Sequence, residues 1–361
     1  MEGLQAIGPS AFYGCRELRQ MRVPSTVNSI SEGAFALCKN MTEVELCEGL
    51  LEIGASAFYE CLSLNNVTVP STVKRIGYRT FCGAPLFSIR LPDIIESIGE
   101  SAFSGDKFLH QFRIPPLITA ASKRIFYICS SLFSLELPEN ATDIGAFAFA
   151  GCHFLRNVAV SSNADIGWNS FQSCKELQRL FGSEAQIINS LKHRFDGLPI
   201  HKLIYYHSYD PETLDRLNAA TYMRSGQRTR ALRSKSDPTG NQQDCLGMTP
   251  LHILACSTVQ NMDLYRMIVE NYPENIITED KWGTLPLFYA LWGNAPSEVV
   301  QFLVERCQSI YPNHELNWSK MVETLGRANE PRKLSKECLI CRNLPSLATA
   351  LNGRVLLTNW Q

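Results

Sequence analysis

The chain has 361 residues, of which 45% are hydrophobic and 19% charged, and its formal net charge is −1. This composition is that of a globular chain rather than a disordered one, and the length allows two domains with a sizeable core. Sequence-independent binding to nucleic acid requires a basic surface that neutralises phosphates. Because the net charge is close to zero, we expect no nucleic-acid partner.

The N-terminal segment, MEGLQAIGPSAFYGC, lacks the basic and apolar regions of a signal peptide. Nor does any segment approach the roughly 18 apolar residues that cross a bilayer. We therefore predict no membrane span and a cytoplasmic location. A repeat begins almost at Met1 without a capping segment. Either upstream repeats are missing or this repeat frays, and a signal peptide in a longer product would not be visible here.

Residues 1–182 carry an internal repeat marked by phenylalanines at steps of 22 or 23 residues. These residues are Phe12, Phe35, Phe58, Phe81, Phe103, Phe126, Phe149 and Phe171. Three residues after the Phe comes a small residue, which is usually cysteine: Cys15, Cys38, Cys61, Cys129, Cys152 and Cys174. Cysteines that recur at one repeat position indicate small buried side chains rather than a disulfide framework.

Each repeat predicts one coil of a β-rich solenoid. Its L-x-x-V-x-V stretch alternates with period two, which is typical of a half-buried strand, and a proline often ends it. A return segment with an Ile-Gly pair follows, in which we expect the glycine to permit a turn. The G-x-x-A-F-x-x-C stretch favours a short helical turn. Because one coil cannot bury its own apolar face, we predict stacked columns of Ile, Phe, Cys, Leu and Val. The fourth copy is one residue short, and Ala84 and Asp106 replace two of the cysteines.

The pattern I-G-x-x-A-F-x-x-C-x-x-L resembles the BspA-like class of leucine-rich repeats over about residues 1–182. The resemblance implies a leucine-rich-repeat solenoid. Some BspA-like proteins are surface or secreted adhesins, so an adhesin whose signal peptide is missing is the alternative to an interaction scaffold.

The eighth and tenth positions after each Phe point outward from the predicted strands, opposite the buried apolar pair. These polar positions form a stripe that we predict to bind a protein partner, unless it is an ordinary solvated face. The stripe comprises Gln20, Arg22, Glu43, Glu45, Asn66, Thr68, Arg90, Gln111, Arg113 and Glu136. Three further positions of the same columns are Ser134, Asn157 and Ala159.

Residues 183–330 lose this period and predict a helical segment. Their clearest motif is Thr249, Pro250, Leu251 and His252, which resembles the T-P-L-H signature of ankyrin repeats. Related stretches are GLPIHKL before it and WGTLPLFYA after it. The resemblance implies helix pairs in which Thr-Pro opens the first helix and the histidine is structural.

An insertion near residues 224–243 contains several Arg and Lys residues beside two serines, and we interpret it as a solvated basic loop. The alternatives are a phosphorylatable basic docking loop and a weak contact with nucleic acid or acidic lipid. The order of leucine-rich coils followed by ankyrin-like motifs resembles a large family of repeat proteins abundant in diatoms. The tail, residues 331–361, fits neither repeat and stays unassigned.

The chain contains no nucleotide-binding, metalloprotease or nucleophile-elbow motif. The Cys338–Cys341 pair has metal-like spacing, but no second pair completes a zinc site, so we interpret it as incidental. We therefore predict a non-enzymatic repeat solenoid, without cofactor or metal, that acts as a protein-interaction scaffold.

Overall fold

The computed structural model describes residues 3–210, 212–222, 237–314 and 316. The chain divides between His193 and Arg194 into two compact units. The first contains all the β-strands of the described residues and ends in two helices, and the second is built of helices. The predicted N-terminal solenoid and the helical nature of the second half are both confirmed. The expected domain boundary at residue 182 falls between the two helices of the first unit.

Each coil of the solenoid contributes a front strand and a return strand. The front strands are β2 (Gln20–Arg22), β4 (Glu43–Glu45), β6 (Asn66–Thr68), β8 (Ser88–Arg90), β10 (Gln111–Arg113) and β12 (Ser134–Glu136). The return strands are β1 (Ala6–Ile7), β3 (Ser29–Ile30), β5 (Glu52–Ile53), β7 (Arg75–Ile76), β9 (Ser97–Ile98), β11 (Ala120–Ala121), β13 (Asp143–Ile144) and β14 (Asp165–Ile166).

Strands of successive coils pair in parallel, and equivalent residues lie opposite each other. Val44 pairs with Met21 on one side and Val67 on the other, and Ile30 lies between Ile7 and Ile53. The front strands form sheets ordered β2-β4-β6-β8 and β10-β12, and the return strands form sheets ordered β1-β3-β5-β7-β9 and β11-β13-β14. This in-register stacking follows from the constant repeat length.

The phenylalanines stack along the interior of the solenoid. Phe12, in the first coil, is half-buried, and the other seven are fully buried. The ring centroids of Phe35 and Phe58 are 5.4 Å apart and those of Phe58 and Phe81 are also 5.4 Å apart, with rings within 5° of parallel. Burying this apolar column drives the stacking, because a single coil would leave it in water.

The stretch around each Phe forms consecutive turns, so the prediction of a short helical turn is wrong. Ser56 and Glu60 have φ of 52° and 50°, which interrupts the right-handed helical conformation. Alternate amides leave the local turn and bond to the next coil, as Phe58 N donates to the Thr80 carbonyl oxygen at 2.9 Å. Hydrogen bonds between coils therefore replace those of a helix.

The glycine of the Ile-Gly pair allows close approach between coils. Gly77 and Gly99 do not adopt positive φ. A Cβ on Gly77 would lie 2.5 Å from the backbone nitrogen of Ala55, and a Cβ on Gly99 would lie 2.4 Å from that of Tyr78. Lack of space, rather than turn conformation, therefore selects glycine here, which corrects the expectation from the sequence.

Two helices, α1 (Lys175–Phe181) and α2 (Glu184–Lys192), end the first unit. Ser183 begins α2 with a capping box, in which its side chain accepts from the amide of Gln186 and its own amide donates to the Gln186 side chain. Leu177, Ile187 and Leu191 are fully buried beneath these helices.

The described residues of the second unit form three helix pairs. They are α3 (Pro199–His207) with α4 (Thr213–Tyr222), α5 (Pro250–Ala255) with α6 (Met262–Asn271), and α7 (Pro286–Trp292) with α8 (Ser297–Ile310). Helix α5 packs against both α3 and α7. Each of these three helices begins with a proline, which lacks the amide hydrogen that a first helical turn leaves unpaired. Among the described residues, no helix is both long and apolar enough to cross a bilayer.

Candidate functional site

The outward side chains of four neighbouring front strands form a continuous exposed surface, which we call the front face. It comprises Gln20, Arg22, Glu43, Glu45, Asn66, Thr68, Ser88 and Arg90. All eight are exposed. The residues between them, including Val44, Val67 and Ile89, are less than 8% exposed and hold the strands to the core. The period of two places polar residues outside and apolar residues inside.

The front face consists of two parallel rows. One row runs Gln20, Glu43, Asn66, Ser88 and the other runs Arg22, Glu45, Thr68, Arg90. Side chains in a row are held about 5 Å apart by the ladder between strands.

Neighbouring side chains of each row interact. Gln20 Nε2 donates to Glu43 Oε2 at 3.3 Å, and Arg22 Nε lies 3.4 Å from Glu45 Oε2. The Arg22 and Glu45 side chains are 75% and 57% exposed, so solvent weakens their attraction. The front face is therefore an ordered surface of mixed charge that can exchange these contacts for contacts with a partner.

The surface does not continue to the later strands as the sequence predicts. Gln111 and Arg113 are half-buried, and Arg113 Nη1 forms an ion pair with Asp93 Oδ1 at 2.7 Å. The prediction that Glu136 lies on an exposed stripe is wrong, because it is only 4% exposed. Ser134, Asn157 and Ala159 are also buried. Alternation identifies the side of the strand that a residue faces, but not what packs against that side.

Two residues at this surface were not predicted from the repeat pattern. Ser88 completes the first row opposite Asn66, although it lies only seven residues after Phe81 because the fourth repeat is one residue short. Asp93, in the loop after β8, reaches Arg113. The shortened repeat is the sequence signal that could have found Ser88.

The cysteine column lies in the interior, apart from Cys15, which is exposed in the first coil. The Cys61 thiol donates to the Phe35 carbonyl oxygen at 3.2 Å, and the Cys152 thiol donates to that of Phe126 at the same distance. Equivalent hydrogen bonds are made by Cys38, Cys129 and Cys174. Burial raises the pKa of Cys61 to about 12, so this group is a neutral thiol and a poor nucleophile.

The threonine and histidine of the T-P-L-H motif form a buried structural contact. The Thr249 amide donates to His252 Nδ1 at 3.2 Å, so the ring hydrogen lies on Nε2, which donates to the Thr284 carbonyl oxygen at 3.0 Å. Pro250 and Leu251 begin α5 and are buried. Burial lowers the pKa of His252, which favours the neutral ring.

His201 makes the same kind of contact one helix pair earlier. Its Nε2 lies 3.0 Å from the Gln242 carbonyl oxygen, and burial lowers the pKa of His201 to about 4. Both histidines therefore join a helix to the following turn. In the described part of the chain, no group of three or more His, Cys, Asp or Glu residues could hold a metal ion.

The turns before α5 and α7 share one hydrogen-bond pattern. Asp244 Oδ1 accepts from the amides of Leu246 and Met248, both at 2.8 Å. Asp280 Oδ1 accepts from the amides of Trp282 and Thr284 at 2.9 and 3.0 Å. Asp244 also forms an ion pair with Arg194 at 2.7 Å, in which both side chains are fully buried.

The basic part of the insertion, residues 223–236, lies outside the described residues, as do the tail 331–361 and the Cys338–Cys341 pair. Of the predicted insertion, residues 237–243 are described and include a short 3₁₀ helix, Pro238–Asn241.

The chain is similar to known repeat proteins over its first half. A family described as BspA type Leucine rich repeat region (6 copies) matches residues 1–86 and 74–191. Comparison with curated proteins gives no match.

Three solved structures show the same similarity. A leucine-rich repeat protein of T. pallidum is 32% identical, with 43% of this chain and 74% of that chain covered and a TM-score of 0.41. A leucine-rich repeat protein of Bacteroides ovatus is 23% identical, with 47% and 57% covered and a TM-score of 0.39. The alignment thus spans just over half of that protein. A leucine rich cell surface protein of Faecalibacterium prausnitzii is 23% identical, with 52% and 72% covered and a TM-score of 0.34.

The two matched segments together cover residues 1–191 of 361, which is more than half of the sequence. The chain therefore belongs to the BspA-type leucine-rich-repeat family.

Proposed function

We propose that this protein is a non-enzymatic scaffold that binds another protein through the front face of its solenoid. The observation that carries the proposal is the pair of exposed rows on β2, β4, β6 and β8, whose side chains are held in register by the parallel ladder. A rigid backbone lowers the entropy cost of presenting these side chains to a partner.

The chemistry of the front face favours a polar protein surface as the partner. Its charged members are two arginines, Arg22 and Arg90, and two glutamates, Glu43 and Glu45. The front face therefore has no net charge that would favour a purely anionic or a purely cationic partner. A partner with complementary alternating charges would gain specificity and a faster association rate.

We propose that the helical unit is a set of ankyrin-like repeats that offers a second binding surface. The repeated turns at Asp244 and Asp280 support this, since they are 36 residues apart and ankyrin repeats recur at about 33 residues. The matching contacts of His201 and His252 support it as well. We also propose the relationship to diatom repeat proteins that the order of the sequence motifs implies, with domains of 1–182 and 183–330 and a separate tail, 331–361.

A cytoplasmic location is part of the proposal. The described residues include eleven cysteines as free thiols, and a reducing compartment maintains that state. Titration of free thiols in the protein isolated from its source tests this point. Mostly reduced cysteines support the cytoplasm, and mostly oxidised ones would favour an exported adhesin instead.

Affinity capture with mass spectrometry, comparing the full chain with a front-face variant, tests the interaction. The variant exchanges the ion pair as Arg22→Glu with Glu45→Arg and adds Arg90→Glu. The exchange keeps the attraction between the two side chains, so the fold is retained, while the pattern presented to a partner is reversed.

We expect the wild-type chain to capture a defined protein that the front-face variant loses. Equal capture by both chains would refute the front face as the binding surface. Circular dichroism of both chains provides the folding control.

A further inference from the structure

A second surface, separate from the front face, lies on the turns of the last coils. We call it the aromatic patch, and it consists of Arg124, Tyr127, Phe147 and Trp168. These residues belong to three successive coils, those of Phe126, Phe149 and Phe171, and come together only because the coils stack.

The rings of the aromatic patch form an edge-to-face chain. The centroids of Phe147 and Trp168 are 4.4 Å apart at 65°, and those of Tyr127 and Phe147 are 6.3 Å apart at 81°. The Arg124 guanidinium carbon lies 5.2 Å from the Phe147 centroid and 6.0 Å from that of Tyr127. Guanidinium and rings thus hold one another in place.

The aromatic patch is most exposed at Trp168, which is 67% exposed, whereas Tyr127 and Phe147 are half-buried. Ile128, next to Tyr127 in the sequence, is 41% exposed. Apolar side chains grouped at a surface mark interaction sites more often than single exposed ones do. Tryptophan, tyrosine and arginine are also the residues that carry most of the binding energy in protein interfaces.

The backbone under the aromatic patch is costly for the residues that it carries. The position two before each core Phe has φ between 51° and 61° in every coil, and the other coils have Ser, Gly, Asn or, in Arg79, arginine there. Arg124 and Phe147 occupy it with φ of 53° and 57°. Large side chains are disfavoured in this left-handed region, so the solenoid would be more stable with a smaller residue at either position.

The charge of the aromatic patch identifies the partner. Lys123 and Arg124 are both exposed, and among the described residues neither takes part in an ion pair. On the front face, by contrast, Arg22 already forms an ion pair with Glu45. Two cations beside one exposed tryptophan ring match carboxylates that flank an apolar side chain.

We propose that the aromatic patch binds an acidic peptide segment of a partner protein, with an apolar side chain of the segment on Trp168 and its carboxylates on Lys123 and Arg124. A nucleic acid would also offer anions and rings, but the net charge of −1 gives no long-range attraction for a polyanion. The acidic peptide is therefore the occupant that the structure favours.

Selection from a random 12-residue peptide library displayed on phage tests the proposal, with the full chain as bait. A chain carrying Trp168→Ala with Arg124→Glu serves for counter-selection. We expect the selected peptides to combine several Asp or Glu residues with an aromatic or aliphatic residue. No enrichment over the doubly substituted chain, or selection of peptides without carboxylates, would overturn the proposal.

Affinities of the best selected peptide, measured by fluorescence anisotropy, then test the individual residues. We expect Trp168→Ala and Arg124→Glu each to weaken binding at least about tenfold. The matched controls are Tyr13→Ala and Arg19→Glu, which change an exposed ring and an exposed cation of the first coil. Equal losses in the controls would contradict the proposal.

Two further arms separate the alternatives. The front-face variant should bind the peptide as the wild type does, so failure of one surface is distinguishable from failure of the other. The second arm measures binding of a single-stranded oligothymidine. If it binds the aromatic patch more tightly than the peptide does, the partner is a nucleic acid and the acidic-peptide proposal is wrong. Thermal melting of every variant checks that it folds.

Discussion

The Asp106 carboxyl group accepts a hydrogen bond from the backbone amide of Leu86, 20 residues earlier, at 3.1 Å. In regular coils, the amide of the equivalent residue bonds within its own turn, as Leu64 N donates to the Cys61 carbonyl oxygen at 3.0 Å. The fourth repeat is one residue short, and its Leu86 amide is satisfied by the next coil instead. A shortened repeat and the Asp that replaces cysteine are therefore one coupled change.

We predict that Asp106→Ala destabilises the solenoid by about 3 kcal/mol, because two buried backbone amides and one part-buried amide lose their acceptor. The other two amides are those of Phe108 and Leu109, at 2.8 and 3.0 Å. Chemical denaturation followed by circular dichroism measures the loss. Asp106→Asn, which keeps one acceptor oxygen, should lose less, and an Asp106→Ala chain as stable as wild type would show that the carboxyl group is dispensable.

A phenylalanine in the middle of the column should matter more than one at its end. Phe58→Ala is expected to cost about 3 to 5 kcal/mol of unfolding free energy, since it opens a cavity in a fully buried column. Phe12 is half-buried and contacts a neighbouring ring on one side, so Phe12→Ala should cost clearly less. The same denaturation measurement compares the two variants, and equal losses would argue against a continuous buried column.

Acid should weaken the helical unit through His201. Burial lowers the pKa of this ring to about 4, whereas an unfolded histidine has a pKa of about 6.5. The stabilisation from the neutral ring is fully present above pH ~6.5 and is lost as pH falls toward 4, because the unfolded chain binds the proton first. At about 1.4 kcal/mol per pKa unit, this loss amounts to about 3 kcal/mol.

Hydrogen exchange of the α3 amides between pH 7 and 5, corrected for intrinsic exchange rates, measures this dependence. We expect His201→Gln to reduce this pH dependence, whereas a change at the half-buried His153, in the first unit, should leave it unchanged. A His201→Gln chain with the pH dependence of wild type would show that other groups cause it.

Breaking the buried ion pair of the helical unit should be far more costly than breaking an exposed one. Arg194→Met leaves the Asp244 charge buried without its partner, at an expected cost of about 3 to 5 kcal/mol. Arg216→Met removes an ion pair with Asp210 in which the arginine is 46% exposed, and should cost about 1 kcal/mol or less. Differential hydrogen exchange in residues 237–314 distinguishes the two, and equal effects would contradict the importance of burial.

The repeat in the sequence was sufficient to predict the solenoid, because every coil places chemically similar residues at the same distance from its Phe. Phe58 and Val67 could be placed in the interior on this basis alone. Turn conformation was not predictable in the same way. The left-handed φ of Ser56 has no residue signature, since Arg, Phe and Asn occupy the same position in other coils.

The candidate surface was only partly predictable. Alternation along the strand correctly places Glu45 and Thr68 outside, but it cannot show that Glu136 is buried, because burial depends on packing from outside the strand. The aromatic patch was missed for a related reason. Arg124 and Phe147 share one position of the repeat, but Tyr127 and Trp168 occupy two others, so comparing one repeat position at a time does not bring the four together.

Site-specific photocrosslinking tests the front face most directly. A benzoylphenylalanine in place of Thr68 lies in the middle of the exposed rows, and the same group in place of Ser97 lies on a return strand as a control. We predict a discrete crosslinked partner from position 68 and none from position 97. The same product from both positions, or none from position 68, would contradict a partner bound to the front face.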